Sequence, residues 1–170
     1  MGKLMKRAVV TSETALKEAG IGVPDAIITG TFLGSVENTE ALLMALSGVS
    51  GQPMRPTNFM QSTHNTVSSL VGIRLKDHGY NSTYSHGLVS FESAVLDALT
   101  QLELGRIDNA LVNLCDETSP TFSMMLEKIG MSGTEISLSM VLSRSPEGAL
   151  CEIADFRLSR GGAAYGQGRR

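Results

Sequence analysis

Histidine and serine side chains stand close together at residues 85–90 and could act as a base and a nucleophile. His86 directly follows Ser85 and precedes Ser90 by four residues, and an imidazole that takes the proton of a serine hydroxyl activates it as a nucleophile. This spacing is compatible with an acyl hydrolase or acyltransferase that uses His86 with Ser85 or Ser90. The alternative is that His86, which Gly87 follows, is a turn or surface residue without a chemical role.

Two carboxylates and a cysteine at residues 115–117 are the next candidates. Asp116 and Glu117 follow an apolar stretch that ends at Cys115, and ligands often bind where strands of an open α/β sheet end. Carboxylates at such a place also serve as helix caps and loop charges, and we favour that structural role. No cationic residue stands near Cys115 in sequence to lower its thiol pKa, so we expect it to behave as a small apolar side chain.

The pattern of histidines and cysteines argues against a metal site. The three histidines are scattered, and the two cysteines form no CxxC motif, whereas zinc ligands are clustered at short spacings. We therefore predict no metal and no cofactor. Two isolated cysteines also fit a reducing compartment better than a disulfide framework, which predicts a cytoplasmic protein.

Composition sets further limits. A chain of 170 residues that is 42% hydrophobic can build one domain with its own core. The net charge of -3, spread without long runs of one sign, gives no surface for nucleic acid or an anionic membrane. No stretch of about 18 uncharged apolar residues is present, so we predict no membrane span. The sequence leaves open whether the chain is part of a longer protein.

Hydrophobic periodicity predicts alternating helices and strands. Apolar residues at helical spacing, often closed by glycine, predict helices at residues 4–19, 38–48, 62–77, 90–104 and 121–129. In the last of these, we expect Met124, Met125, Leu126 and Ile129 to face inward. Short apolar or alternating stretches predict strands at residues 25–31, 81–85, 109–115, 135–142 and 149–158.

These elements predict an α/β fold. Strand and helix alternate and the last two strands form a hairpin, which predicts a mixed sheet of about five strands flanked by helices. We expect one domain at residues 1–160, followed by a flexible, glycine-rich tail at residues 161–170.

Three segments carry a resemblance to a known family. They are Pro56-Thr57-Asn58-Phe59 with Ser62-Thr63-His64-Asn65, then Gly79-Tyr80-Asn81-Ser82-Thr83-Tyr84-Ser85, then Leu104-Gly105-Arg106-Ile107-Asp108-Asn109-Ala110-Leu111-Val112. In this order they resemble the N-terminal half of the β-ketoacyl synthases, the condensing enzymes of fatty-acid and polyketide synthesis. Residues 27–31 and 136–142 are similar to two further strands of that half. The resemblance implies one half of a thiolase-like fold, without the C-terminal half.

The resemblance also identifies a substituted catalytic position. In these enzymes a nucleophilic cysteine lies at the N-terminus of a buried helix, where backbone N–H groups and the helix dipole stabilise thiolate and oxyanion. Counting from Asn81, that position is Leu88. Leucine cannot attack a thioester, and the family's two catalytic histidines belong to the C-terminal half. We therefore expect a pseudoenzyme, with no condensing activity from this chain by itself.

Members of the superfamily that lack the cysteine include chain-length factors, which pair with an active ketosynthase and shape its acyl tunnel. The resemblance implies such a role in fatty-acid, polyketide or aryl polyene-type lipid biosynthesis. It implies an active ketosynthase subunit and/or an acyl carrier protein as partners, and a homo- or hetero-oligomer. We also expect an exposed apolar face that a partner or a second copy covers.

The same resemblance supplies candidate site residues. The candidates for binding an acyl or pantetheine group are Phe59, His64, Asn65, His86 and Leu88. Capping and core hydrogen bonds explain His64 and Asn65 as well as binding does. The candidate dimer strand is Tyr80, Asn81, Ser82, Thr83, Tyr84 and Ser85. Methionines 124, 125 and 131 could line an acyl tunnel or simply pack in the core.

Overall fold

A computed structural model describes residues 2–49, 51 and 53–157 of the protein. Over these residues, six α-helices and four strands follow one another along the chain. The helices are α1 (Lys3–Glu18), α2 (Val36–Leu46), α3 (Pro56–Ser62), α4 (Thr66–Leu75), α5 (Ser90–Glu103) and α6 (Pro120–Lys128). The strands are β1 (Ala26–Gly30), β2 (Tyr80–Tyr84), β3 (Asn109–Asp116) and β4 (Ile136–Ser143).

The four strands form one mixed sheet in the order β2-β1-β3-β4. β1 runs parallel to both β2 and β3, with Ile28 opposite Ser82 on one side and Val112 on the other. β4 is antiparallel to β3. Every residue of β1 is buried, because a central strand that is covered on both faces needs apolar side chains in both directions.

Helices cover both faces of the sheet. Side chains alternate along a strand, so Ile28 packs with Val95 of α5 on one face. Ile27 packs on the other face with Val9 of α1 and Val71 of α4. The predicted fold class, an α/β fold with a mixed sheet flanked by helices, is therefore confirmed.

The predicted hairpin after β4 is not formed. Residues 149–157 contain no strand, and residue 158 and the predicted tail at 161–170 lie outside the described residues. Nearly all of residues 149–157 are exposed, and Phe156 alone among them packs against the core. The alternating pattern there therefore has no buried face that would fix a strand, and the described sheet has four strands rather than about five.

The predicted helix at residues 62–77 begins later, as α4 at Thr66, and the separate helix α3 at residues 56–62 was not predicted. Thr63 is extended, with ψ 143°, so the two helices cannot be continuous. Pro56 begins α3, where its fixed φ and missing N–H suit the first turn. The other predicted elements are present, with ends that differ by a few residues.

Among the described residues, none of the helices combines the length and the hydropathy that crossing a bilayer requires.

Candidate functional site at the carboxyl edge of the sheet

The carboxyl ends of the three parallel strands meet at one edge of the sheet, which is where open α/β sheets commonly bind ligands. The loops that follow β1, β2 and β3 lie there, and a cavity of about 260 Å³ lies between them. The residues that line it are Phe32, Leu33, Gly87, Leu88, Ser90, Phe91, Glu92, Leu114, Asp116, Ser132, Gly133, Thr134 and Ile136. Within the described ranges, no three His, Cys, Asp or Glu side chains are grouped so as to hold a metal ion.

Leu88 lies at the entrance to helix α5. A single 3₁₀ turn, Gly87–Val89, leads directly into α5, and Gly87 has φ +62°, a conformation that favours glycine. Leu88 is 74% exposed and lines the cavity. Its side chain has neither a proton nor a lone pair to offer, so it cannot serve as a nucleophile, an acid or a base.

The position of this turn is fixed by backbone contacts. A Cβ atom at Gly30 would lie 2.6 Å from the Cα of Phe91 and 2.6 Å from the carbonyl oxygen of Ser90, so only glycine lets β1 approach α5 this closely. The amide of His86 donates to Ser90 Oγ at 2.9 Å, and that hydroxyl donates to the carbonyl of Gly87 at 2.6 Å. The strand predicted at residues 25–31 gave no sign of this close approach at Gly30.

His86 does not form the predicted pair with Ser90. Ser90 is 2% exposed and meets the backbone of His86, whereas the imidazole Nδ1 lies 3.1 Å from Ser93 Oγ. The Ser93 hydroxyl donates its single hydrogen to the carbonyl of Val89 at 2.8 Å. Nδ1 therefore carries a hydrogen and donates it to Ser93, which is the wrong direction for activating a serine. No hydrogen bond joins His86 to Ser85 in the described part of the chain.

Asp116 organises the loop after β1. Its Oδ1 accepts hydrogen bonds from the Thr31 hydroxyl at 2.7 Å and from the amides of Phe32 at 2.9 Å, Leu33 at 2.7 Å and Gly34 at 3.1 Å. Consecutive amides aimed at one carboxylate form an anion nest. Asp116 is 7% exposed, and these donors engage its carboxylate. The structural role favoured for Asp116 is confirmed, since it positions two residues of the cavity wall, Phe32 and Leu33.

Glu117 caps helix α2 from a distance. Glu117 Oε1 accepts from the Ser35 hydroxyl at 3.1 Å and from the Glu37 amide at 3.1 Å, which satisfies a free N–H in the first turn of α2. Glu117 is 1% exposed; burial raises the pKa of its carboxyl group, and these hydrogen bonds partly oppose the increase. α2 therefore begins at Val36, two residues before the predicted start at residue 38, and its capping group comes from the end of β3.

His64 and Asn65 form the turn before α4, and Phe59 lies on α3. All three side chains are exposed. The His64 ring lies against Gly34, where an added Cβ would be 3.1 Å from His64 Cδ2. His64 thus touches the loop that Asp116 holds. The structure brings Leu88 into the cavity wall, but it does not place Phe59, His64, Asn65 or His86 among the lining residues.

Cys115 is inert for a physical reason. It lies in β3, fully buried among residues of α1 and α4 such as Met5, Ala8 and Val67, and burial raises the pKa of its thiol to about 12. Ser137 Oγ, its hydrogen-bonding neighbour, lies 3.6 Å away. A thiol in this environment stays protonated at neutral pH and is a poor nucleophile, as predicted.

The predicted dimer strand lies at an edge of the sheet. β2 pairs with β1 on one side, and no described strand pairs with its other side. It ends at Tyr84, one residue before the predicted end at Ser85. The Tyr80 hydroxyl donates to Asp97 of α5 at 3.0 Å, and burial, followed by the charge of Asp97, raises the pKa of Tyr84 to about 12.

Helix α6 presents its apolar side chains differently from the prediction. Leu126 is buried, but Met124, Met125 and Ile129 are 58%, 56% and 69% exposed. The expectation that all four face inward is therefore wrong. A nine-residue helix that packs along one edge buries a narrow stripe, and residues on either side of the stripe stay exposed.

Comparison with known proteins agrees with this geometry. The sequence profile of the family described as β-ketoacyl synthase, N-terminal domain, matches residues 3–164. No curated protein matches the chain.

Solved structures of ketosynthases share the fold. One chain of the ketosynthase ApeO in complex with its chain length factor ApeC, from Xenorhabdus doucetiae, is 23% identical with a TM-score of 0.70, over 83% of this chain and 57% of that one. The ishigamide ketosynthase/chain length factor is 22% identical with a TM-score of 0.69, over 88% and 45%.

A third similar structure holds a type II polyketide synthase acyl-carrier protein in complex with its ketosynthase bound to the hexaketide. It is 18% identical with a TM-score of 0.69, over 85% of this chain and 48% of that chain. The protein thus spans about half the length of these structures. The likeness confirms that the described domain has the fold of a thiolase-like half.

Proposed function

Because the chain belongs to the family of β-ketoacyl synthase N-terminal domains, we propose that it is a non-catalytic, chain-length-factor-like subunit. The observation that supports this most directly is Leu88 at the entrance to α5, next to the cavity. A helix N-terminus offers amide N–H groups and a positive dipole end, which favour a thiolate or an oxyanion. Because leucine stands at this position, these amide groups have no thiolate nucleophile to stabilise.

No other described side chain in the cavity takes over the missing role. Ser90 is buried and committed to the backbone of the turn, and Asp116 is engaged by the loop after β1. A serine or threonine nucleophile needs a base that can accept its proton. In the described cavity wall, no hydroxyl is hydrogen-bonded to an imidazole ring.

The proposed partners are an active ketosynthase subunit and/or an acyl carrier protein. Both kinds of assembly occur among the similar structures, as a ketosynthase with its chain length factor and as an acyl-carrier protein with its ketosynthase. In the sheet of the described residues, the outer side of β2 has no neighbouring strand, and such an edge can pair with a strand of a partner. We therefore propose residues 80–85 as a dimer contact, and residues 1–160 as the domain that takes part.

The proposed product class is a fatty-acid, polyketide or aryl polyene-type lipid, made in the cytoplasm. Cys115 and Cys151 are both free thiols, which suits a reducing compartment. In this proposal Leu88 contacts an acyl or pantetheine group at the cavity. Phe59, His64, Asn65 and His86 contribute from the surrounding surface of the same edge, where His64 meets Gly34.

The deciding experiment combines solution mass with an elongation assay. The purified chain is studied by light scattering, alone and mixed with an active ketosynthase from the same cell, and both samples receive acyl carrier protein thioesters. We expect a stable heteromer and no elongation by this chain alone. A ketosynthase whose catalytic cysteine is replaced is the matched inactive control. Elongation by this chain alone would refute the proposal.

A fluorophosphonate probe tests the alternative of an acyl hydrolase that uses serine and His86. We expect no labelled serine, because His86 Nδ1 donates to Ser93 rather than accepting its proton. A labelled serine whose labelling is lost in His86→Ala would favour the hydrolase instead.

A further inference from the structure

The cavity at the carboxyl edge of the sheet has a mostly apolar wall. Large apolar side chains provide most of it, namely those of Phe32, Leu33, Leu88, Phe91, Leu114 and Ile136. Its volume is about 260 Å³, whereas an apolar cavity of about 150 Å³ is enough to hold a benzene molecule. The cavity therefore has room for a short alkyl chain, but its wall also contains two carboxylates.

The two carboxylates, Asp116 and Glu92, differ in what surrounds them. Asp116 Oδ1 accepts hydrogen bonds from the Thr31 hydroxyl and from three backbone amides, and these donors offset its negative charge. Glu92 is half-buried, and within the described residues its carboxylate has no hydrogen-bond donor and no ion-pair partner. No lysine, arginine or histidine is present among the described residues that line the cavity. The charge of Glu92 is therefore the one in this wall that no described side chain compensates.

The place of Glu92 on helix α5 explains part of its presence. It lies in the first turn of α5, four residues after Leu88, and both residues line the cavity. An acidic side chain in a first turn is favourable, because the N-terminal end of a helix is partially positive. A carboxylate on the solvent side of the turn would serve the helix equally well. Helix stability alone therefore does not require a carboxylate in the wall of an apolar cavity.

This carboxylate changes what the start of α5 offers to a ligand. A free helix N-terminus attracts anions, but here an anionic group in the cavity meets the negative charge of Glu92. Like charges at contact distance in a partly desolvated site repel each other strongly. An uncharged chain meets no such repulsion and gains free energy from contact with the apolar wall.

We propose that Glu92 sets the charge of the ligand that this cavity accepts, an inference that rests on the proposed function. The accepted class is a short alkyl chain with an uncharged end, as in an acyl group held as a thioester. The excluded class is a chain with an anionic end, as in the free carboxylic acid that hydrolysis of the thioester releases. Because the cavity holds only a short chain, the end group of that chain stays near Leu88 and Glu92 at the start of α5.

The test compares three probes that share one alkyl chain: octanol is neutral, octanoate is an anion and octylamine is a cation at neutral pH. Each probe is titrated by calorimetry into the full chain and into the variant Glu92→Gln. Relative to octanol, we expect the affinity for octanoate to rise about fivefold or more in the variant, and the affinity for octylamine to fall about fivefold or more. General damage to the site does not produce shifts in opposite directions.

Three variants serve as controls. Glu103→Gln removes a carboxylate from the last turn of the same helix, outside the cavity wall, and we expect a change of less than about twofold for every probe. Glu92→Asp keeps the charge and should keep the preference of the wild type. Leu88→Trp fills the cavity from an exposed position and should weaken all three probes alike. Circular dichroism verifies folding, and Glu92→Ser replaces Glu92→Gln if that variant does not fold.

The possible results separate this inference from the proposed function. Unchanged relative affinities in Glu92→Gln would overturn the role of Glu92 while leaving an acyl site at Leu88 intact. Equal changes for octanoate and octylamine would mean that Glu92 acts on the shape of the wall rather than through its charge, and would also overturn the inference. If the wild type binds none of the probes, or if Leu88→Trp leaves their affinities unchanged, the proposed acyl site itself fails.

Discussion

Two segments at the carboxyl edge of the sheet are held in opposite ways. Residues 31–37 donate hydrogen bonds to the buried carboxylates of Asp116 and Glu117, which follow them by about 80 residues. Residues 56–66 are held by exposed hydroxyls of their own segment, such as Thr66 Oγ1 on the carbonyl of Met60 at 2.8 Å. The first segment has its hydrogen-bond partners within the domain, whereas no described residue covers the exposed apolar side chains of Phe59 and Met60 in the second.

In the proposed assembly, this difference lets the domain fold by its own contacts while a partner covers its exposed apolar side chains. Buried polar groups must be paired inside the chain, because leaving them unpaired carries a large free-energy cost. Exposed apolar groups cost the folded monomer little relative to the unfolded chain, and they gain stability only when another surface removes them from water. We expect substitutions in the first segment to affect folding and substitutions in the second to affect assembly.

The largest effect is expected for Asp116→Ala. The change leaves the amides of Phe32, Leu33 and Gly34 and the hydroxyl of Thr31 without their acceptor. We expect the free energy of unfolding to fall by about 4 kcal/mol, measured by urea denaturation. Asp108→Ala removes an aspartate whose side chain is 85% exposed, and we expect a loss below about 0.5 kcal/mol. Equal losses in the two variants would contradict the anchoring role of Asp116.

The next effect is expected for Gly30→Ala. The added Cβ would lie 2.6 Å from the backbone of α5, so the turn at Leu88 or the strand has to move. We expect a loss of about 2–3 kcal/mol in urea denaturation.

The matched control for this change is Gly22→Ala, where nothing lies within 4 Å of the new methyl group. We expect a change within about 0.5 kcal/mol there. If Gly30→Ala left the free energy of unfolding unchanged, the entrance to α5 would not be fixed by this contact.

Glu117 should make a smaller, pH-dependent contribution. Burial raises the pKa of Glu117 in the folded chain, so its contribution to stability is complete below the unfolded value of about 4.3 and is lost as pH rises through the folded value. We expect the stability of the wild type to fall relative to Glu117→Gln as pH rises from about 4 to 7.

Urea denaturation at three pH values measures this difference. The exposed substitution Glu147→Gln controls for the removal of one carboxylate. A wild-type stability that stays constant or rises relative to that of Glu117→Gln as pH increases from about 4 to 7 would contradict the assignment.

The smallest effect on folding is expected on helix α3, none of whose residues is buried. Phe59 is 60% exposed, so Phe59→Ser should change the free energy of unfolding of the isolated chain by less than about 0.5 kcal/mol. A buried phenylalanine would lose about 3–5 kcal/mol on truncation. A loss of that size for Phe59→Ser would mean that α3 packs within the monomer, and the contrast between the two segments would disappear.

Most helices and strands could be predicted from the sequence, because each depends on a local pattern of apolar residues and glycines. Strand β3 and helix α5 were predicted nearly to the residue from apolar runs and glycine stops. The turn around Leu88 was located through the resemblance of residues 79–85 to the ketosynthases. Residues 149–157 were wrongly predicted as a strand, since alternation alone does not show whether a partner strand exists.

The rest of the site depended on distant contacts. The cap of α2 comes from Glu117 and the close approach at Gly30 involves Phe91, and neither contact leaves a local sequence signal. His86 Nδ1 donates its hydrogen to Ser93 because the Ser93 hydroxyl already donates to the carbonyl of Val89. This arrangement cannot be read from the sequence. Helix α3 was not predicted, and the exposure of Phe59 and Met60 depends on which distant segments pack there, which no local pattern shows.

The anchoring of the β1 loop by Asp116 has a consequence during protein synthesis. Asp116 follows the amide of Gly34 by 82 residues and the hydroxyl of Thr31 by 85. At about 5–20 residues per second, the ribosome needs roughly 4–17 seconds to add that length. During this interval the nascent chain carries β1 and a loop whose amides lack their acceptor. We expect this segment to depend most on a chaperone at the ribosome.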